Sequence, residues 1–342
     1  MVCSTVLKQT VKGKLSVYDG MMDENFMQPI SYFELFAGYG GGGFSLNKAN
    51  IPSECVGFSE IKPHAIKCFE ANHKGVKGFG DCTQIDPSKL PDFDLLTAGF
   101  PCQPFSSAGK QKGELDIRGT LFNEIIRIAE VKTPKYMLLE NVRGLTFRNM
   151  KDTFDKILLE LDRIGYTVYW KILNSKHYGS PQNRQRVFFV CFRKDLEITE
   201  FTFPEPEELT IYLKDIVEPP TDTTLVSVSW RNKNRSKHQQ RGEAYGKYPN
   251  EYIYQYNKDI GVSFCIVSAR HEFRVGTIED LENARDLTPQ ECFRLMGFVN
   301  DEIDISGLTK TQQYDLAGNG WDINVVSKIF QQMFPRSIQA NA

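Results

Sequence analysis

The sequence predicts an α/β protein: a Rossmann-like sheet with helices on both faces, followed by a smaller, loop-rich domain. Three observations predict it. Short apolar runs alternate with helical segments through about the first 195 residues, a glycine-rich turn follows the first run, and the alternation fails near residue 197, where Pro204, Pro206, Pro219 and Pro220 accumulate. Strands are expected near 32–36, 54–59, 94–98, 136–140, 167–173 and 187–192. Each is a short continuous apolar run, the pattern of strands buried on both faces of a mostly parallel sheet. Helices are expected near 62–72, 119–131 and 151–164, completing βαβ units. Beyond Leu308 the chain passes through a glycine-asparagine turn, Ala317-Gly318-Asn319-Gly320, into a terminal helix from Ile323 to Phe334. Residues 1–196 with 305–342 are expected to form the large domain and 197–304 the small one, since 342 residues exceed what one core of roughly 250–300 residues accommodates.

Composition narrows the class. With 41% hydrophobic and 25% charged residues the chain reads as globular, and it has no apolar run able to span a bilayer and no secretory signal. A cytoplasmic location and no membrane partner are expected. Eight cysteines lie scattered without CxxC pairs and there are five histidines, so reduced thiols are expected rather than disulfides or structural zinc, and no metal. A net charge of −2 rules out a generally basic nucleic-acid binder. Any such contact must be local: Arg231, Lys233, Arg235, Lys237 and Arg241 run without an intervening acid, as a phosphate-binding loop or simply a solvated one.

In open α/β sheets, ligands bind outside the carboxyl ends of the strands. The glycine turn, Glu60, Asp81, Cys102 and Glu140 all follow predicted strands and so share one rim. Gly38, Gly40, Gly41, Gly42 and Gly43 let backbone amides approach a ligand, or form a tight structural turn. Glu60, about 20 residues on at the end of the next strand, stands where such sheets hold ribose hydroxyls. A Walker lysine is missing, which disfavours a triphosphate and leaves a dinucleotide open.

Three segments carry chemistry. Gly99-Phe100-Pro101-Cys102-Gln103 presents a thiol where a buried strand opens into a loop; Tyr136-Met137-Leu138-Leu139-Glu140-Asn141-Val142 ends an apolar strand in a carboxylate; Gln182-Asn183-Arg184-Gln185-Arg186 sets two arginines before another strand. Singly they read as an inert core cysteine, a strand-end cap and surface charges. In this order, with Phe33-Glu34-Leu35-Phe36-Ala37-Gly38-Tyr39-Gly40-Gly41 before them and Ala317-Gly318-Asn319-Gly320 after, the chain closely resembles the DNA (cytosine-5) methyltransferases of bacterial restriction-modification systems, over about residues 31 to 330.

The resemblance implies a methyltransferase sheet with S-adenosyl-L-methionine as cofactor and a target recognition domain in 197–304. Phe36 would stack on the adenine, Glu60 would hold the ribose and Asp81 would lie near the adenine amino group. Gly38, Gly40, Gly41 and Pro101 would shape the pocket, and Asn319 and Gly320 would close its methionine end. Four consecutive glycines, 40 to 43, and Gly320 in place of a usual serine or alanine depart from the family pattern.

Methylating carbon 5 of cytosine requires a nucleophile on carbon 6, and the resemblance assigns it to Cys102. A free thiol is only a few per cent ionised at neutral pH, so nearby cations are needed. Arg184 and Arg186 fit that need and are implied as ring-oxygen and transition-state partners, with protonated Glu140 as the acid at N3. A base buried in duplex DNA must also be flipped out. The segment from Gln103 to Thr120, with Lys110 and Arg118, reads as a basic lid or a plain surface loop. Arg231, Arg235 and Arg241, then Arg270 and Arg274, are candidates for DNA contact. The expected assembly is a monomer acting on duplex DNA, with a cognate restriction endonuclease in the same system. A tRNA cytosine-5 methyltransferase is the near alternative; a catalytically dead DNA-binding module would be expected to lose Cys102 or Glu140, and a nicotinamide oxidoreductase needs neither.

Overall fold

The computed structural model describes residues 28–101, 121–218, 254–255, 261–267, 274–276, 285–299 and 302–335. In chain order the first elements are β1 (Ile30–Leu35), α1 (Gly41–Lys48), β2 (Ser53–Ser59), α2 (Pro63–Asn72), β3 (Leu95–Gly99), α3 (Leu121–Lys132), β4 (Tyr136–Val142), α4 (Lys151–Arg163), β5 (Tyr166–Asn174), β6 (Gln182–Asn183) and β7 (Gln185–Arg193). They are followed by α5 (Leu213–Ile216), β8 (Tyr254–Gln255), β9 (Ser263–Phe264), β10 (Arg274–Gly276), β11 (Arg285–Asp286), α6 (Pro289–Leu295), α7 (Lys310–Asn319) and α8 (Ile323–Met333).

Six strands form the main sheet in the order β2-β1-β3-β4-β7-β5. The first four are parallel, as expected, whereas β7 runs antiparallel to both β4 and β5. The reason is connection length. Residues 175–184 are too few for a crossover, so β7 returns beside β5 in the opposite direction. Both faces are covered. Met137, Leu139, Val187, Phe189 and Cys191 pack under α3 and α4, while Leu138, Phe188, Val190 and Phe192 pack with α1 and α8. The unbroken apolar strands thus satisfy two cores at once. The order reverses at β1, which has β2 on one side and β3 on the other, and this puts the topological switch point between β1 and β3.

One helix departs from expectation. The glycine-asparagine segment is not a turn but the last part of α7, which starts at a Thr309/Gln312 capping box and stops at Gly320. That box is a readable start signal. α6 starts the same way, at Thr288 and Glu291. α6 and α7 share an apolar cluster with Tyr39 of the glycine turn and Ala65 and Cys68 of α2. The smaller pairings are a β11-β10-β8 sheet and the parallel pair β6-β9. Among the described residues no helix is long and apolar enough to cross a membrane, and no group of three or more His, Cys, Asp or Glu residues is placed to hold a metal ion.

Candidate active site

A cavity of about 360 Å³ opens at the switch point, outside the carboxyl ends of β1, β3 and β4. That volume suits a small ligand. Its first wall is the turn after β1. Phe36, in a left-handed conformation (φ 56°), and Gly38 line the cavity, as does Gly41 at the start of α1. The turn is anchored from beneath by Glu34, whose carboxylate accepts the N–H groups of Gly42 at 3.2 Å and Gly43 at 2.9 Å. A carboxylate there complements the positive end of the α1 dipole. Burial pushes the Glu34 carboxyl up to about 7, against the opposing pull of those two amides.

The glycine run has steric causes. Gly40 caps α1 at φ 87°, and a Cβ there would lie 2.1 Å from Nε2 of His73, whose ring packs behind the turn with Nε2 3.2 Å from the Tyr39 carbonyl. Gly40 shapes the turn without lining the cavity. Glu60, just beyond β2, does line it. One of its oxygens accepts Gly38 N–H at 3.0 Å and the other accepts the N–H groups of Ile61 and Lys62 at 2.8 and 3.0 Å. It therefore ties the glycine turn to the start of α2 in addition to facing the ligand space. Asp81 is not in the wall. It follows no strand, since Gly78 makes only a single bridge to Phe58, and its side chain caps a short turn by accepting from Thr83 N–H and hydroxyl.

The opposite wall carries the reactive-looking groups. Gly99 and Glu140 lie level in the β3/β4 register, and Arg186 faces Val142 across β4 and β7. Glu140 Oε1 and Arg186 Nε form a buried ion pair at 2.8 Å. Burial raises the Glu140 carboxyl above the usual carboxylate range, while Arg186, Arg184 and a hydrogen bond from the Trp321 indole hold it back. Burial and the neighbouring Arg184 likewise lower Arg186, against the pull of Glu140. Arg184 is differently employed. It is 2% exposed, and its guanidinium donates to the carbonyls of Ile266 at 3.1 Å, Gly318 at 3.3 Å and Gly320 at 2.8 Å. Arg184 thus brackets the C-terminal end of α7, which supplies Gly318, Asn319 and Gly320 to the cavity. Pro101 completes the wall, and the preceding carbonyl, of Phe100, accepts from Asn141 Nδ2 at 3.0 Å.

The structure therefore brings together Phe36, Gly38, Gly41, Glu60, Pro101, Glu140, Arg184, Arg186, Asn319 and Gly320, and leaves Gly40 and Asp81 outside the wall. Cys102, Gln103, Lys110, Arg118, Arg231, Arg235, Arg241 and Arg270 lie outside the described residues, as does the side chain of Arg274. Sequence reasoning missed Glu34, Tyr39, Asn141 and Trp321. Glu34 and Asn141 were legible as polar residues at the ends of apolar strands; the role of Tyr39 and Trp321 depends on contact across 282 positions, where the Tyr39 hydroxyl donates to the Trp321 carbonyl.

Comparison with known proteins identifies the family. Residues 30–335 match the family model for C-5 cytosine-specific DNA methylase. The Type II methyltransferase M.NlaX of Neisseria lactamica is 37% identical over 311 residues, covering 88% of this chain and 95% of the relative. The Type II methyltransferase M.HhaI of Haemophilus parahaemolyticus is 35% identical over 309 residues, covering 88% and 93%. Among solved structures, the S. pombe Dnmt2 methyltransferase superposes with a TM-score of 0.68 at 22% identity, over 91% of this chain and 99% of that one. A putative DNA modification methyltransferase encoded within an E. coli prophage superposes with a TM-score of 0.64 at 17% identity, over 89% and 98%. These two structural matches speak for the shared fold. The family match covers residues 30–335, which include the whole sheet and every residue lining the cavity, and the chain accordingly belongs to the C-5 cytosine-specific DNA methylases: it is a DNA (cytosine-5) methyltransferase that uses S-adenosyl-L-methionine.

Proposed function

We propose that the chain methylates carbon 5 of a cytosine flipped out of a short, specific duplex DNA sequence, through a covalent adduct between Cys102 and carbon 6. The observation that carries this reading is the buried Glu140–Arg186 pair in the same cavity wall as Pro101, the residue before Cys102 in the chain. The glycine-lined half of the cavity fits S-adenosyl-L-methionine: Phe36 offers a ring face, Glu60 keeps acceptor capacity toward the cavity, and Asn319 offers an amide at the far end. When bound, that cofactor supplies an electrophilic methyl group on a sulfonium.

The protein's own groups do the rest. The Cys102 thiolate adds to carbon 6, and the electron pair displaced from the 5,6 double bond moves toward carbon 5 and the N3 side of the ring. Glu140, whose burial favours its protonated form, donates a hydrogen bond to N3 and so stabilises that charge. Arg186 keeps the carboxyl oriented and donates to the C2 carbonyl oxygen of the base. Arg184 acts through the backbone, holding the end of α7 against the cofactor side. Methylation at carbon 5 is followed by loss of its proton and β-elimination of the thiolate, which restores the double bond.

Residues 197–304 are proposed as the target recognition domain, with Arg231, Arg235, Arg241, Arg270 and Arg274 contacting DNA and Gln103, Lys110 and Arg118 working from the loop beyond the thiol. The chain is proposed to act as a cytoplasmic, nucleoid-associated monomer, alongside a cognate restriction endonuclease. The test is transfer of tritium from labelled methyl donor to duplex DNA. Cys102→Ala should abolish it, and duplexes containing 5-fluorocytosine should trap a covalent adduct with the native chain. Label appearing in tRNA alone would overturn the substrate assignment, and bisulfite sequencing of DNA from expressing cells would give the modified site.

A further inference from the structure

Trp321 stands in the active-site wall with no task in the scheme above. It follows Gly320 in the link between α7 and α8 and, together with Glu140, borders both the main cavity and a small void behind it. Its indole points into a notch left by a missing side chain. A Cβ on Gly99 would lie 2.6 Å from Trp321 Nε1 and 3.4 Å from Glu140 Oε2, so the bare α-carbon is what allows these two atoms to share one space. The other carboxyl oxygen, Oε1, belongs to Arg186.

The backbone that carries the indole is held on every side. The Tyr39 hydroxyl donates to the Trp321 carbonyl. Arg184 grips the Gly320 carbonyl at 2.8 Å. Asp322, the next residue, caps α8 by accepting Asn324 N–H at 3.0 Å and is itself fixed by the Ser180 hydroxyl at 2.9 Å. Such bracing exceeds what a packed aromatic needs and suits a donor whose direction matters.

We propose that Trp321 is a positioning residue for Glu140: its indole N–H takes one lone pair of Oε2 while Arg186 holds Oε1, turning the carboxyl so that its remaining edge meets the base. The proposal rests on the reading that Glu140 works at the cytosine ring. The charged and titratable groups facing Glu140 are Arg186 and Arg184 from the β6–β7 side, Tyr39 from the glycine turn and Asp322 from the start of α8. Against that background the indole N–H favours the ionised carboxyl. Without it Glu140 keeps its proton to higher pH but loses its aim.

The experiment is single-turnover methyl transfer to duplex DNA as a function of pH, with cofactor affinity measured in parallel, for Trp321→Phe, Tyr39→Phe and Glu140→Gln. Trp321→Phe keeps most of the ring volume and deletes the donor. It should slow saturated transfer by up to about tenfold, the effect of losing one orienting hydrogen bond. It should also move the alkaline limb upward by roughly half a pH unit or more, with cofactor affinity changed less than about threefold. Tyr39→Phe, which frees only the Trp321 carbonyl, should move the limb the same way by less. A slower rate with an unmoved limb, or parallel losses in rate and cofactor affinity, would show that the indole merely packs and would overturn the proposal. If Trp321→Phe does not fold, the limb of Tyr39→Phe decides in the same way. Glu140→Gln separates the two levels: full transfer by that variant sinks the reading of the site, whereas an inactive Glu140→Gln with an unmoved Trp321→Phe limb sinks the positioning role alone.

Discussion

Gly320→Ala inserts a single methyl group, and the structure predicts that this family-typical residue is not tolerated here. The backbone at 320 (φ −75°, ψ 175°) accepts any residue, so the penalty is purely steric. The new Cβ would lie 2.0 Å from Tyr39 Cε1 and 2.4 Å from Cζ, against a normal carbon–carbon contact of about 3.5–4.0 Å. The ring must therefore move by roughly 1.5 Å. It has nowhere to go. Tyr39 is 1% exposed, meets Phe293 and Phe298 edge-on with ring centres 5.7 and 5.4 Å away, and is tethered by its hydroxyl to the Trp321 carbonyl. Overpacking of this kind costs about 1–3 kcal/mol. Breaking the buried hydroxyl–carbonyl bond adds about 1–3 kcal/mol, so Gly320→Ala should cost about 2–6 kcal/mol in all.

The double-mutant cycle tests the cause. Tyr39→Leu alone leaves a void and an unpaired carbonyl and should cost about 2–4 kcal/mol. In that background the added methyl has room, so the cycle should show a favourable coupling of at least about 2 kcal/mol. Urea unfolding of the four proteins measures it, with cofactor affinity as a second readout because Gly320 borders the cavity. A Gly320→Ala protein as stable as the parent, or one equally destabilised with and without the tyrosine ring, would refute the reasoning.

Three further outcomes are expected. Glu34 has a folded-state pKa of about 7 against an ordinary 4.5, so the folded protein holds an extra proton between those values; its stabilising contribution is full below about pH 4.5 and is lost as pH rises through 7, by roughly 3 kcal/mol in total. Unfolding of Glu34→Gln at pH 5.5 and 8 should lack that part of the decline, and an unchanged decline would contradict it. Arg184→Lys keeps the charge but cannot reach three carbonyls with one ammonium, so cofactor affinity measured by calorimetry should fall about tenfold or more; unchanged affinity would show that the bracket is dispensable. Arg285 and Glu291 form a two-bond pair at 2.8 and 2.5 Å with side chains 3% and 0% exposed. Arg285→Met should cost about 3–5 kcal/mol in chemical denaturation by stranding the carboxylate, and adding Glu291→Leu should recover much of it.

Much of this was legible in the sequence, because it depends on local signals. The apolar runs named every strand of the main sheet, since each must cover two cores, and three helices followed from the segments between them. The wall residues Glu140, Arg186, Glu60 and the glycine turn were legible because a strand end, a turn and a charge adjacent in sequence stay adjacent in space. α7 was misread as a turn because its Gly-Asn-Gly end is poor in helix propensity, while the Thr309/Gln312 box that starts it lies ten residues upstream of Asn319.

What the sequence alone determined is therefore the succession of strands, the rim where they end and the chemical character of the residues along it. Tertiary structure alone decided which way β7 runs, that Arg184 serves the backbone while Arg186 serves Glu140, and why glycine is required at 99 and 320. Those outcomes depend on side chains far apart in the chain competing for the same few ångströms, and volume exclusion between distant residues leaves no local pattern to read.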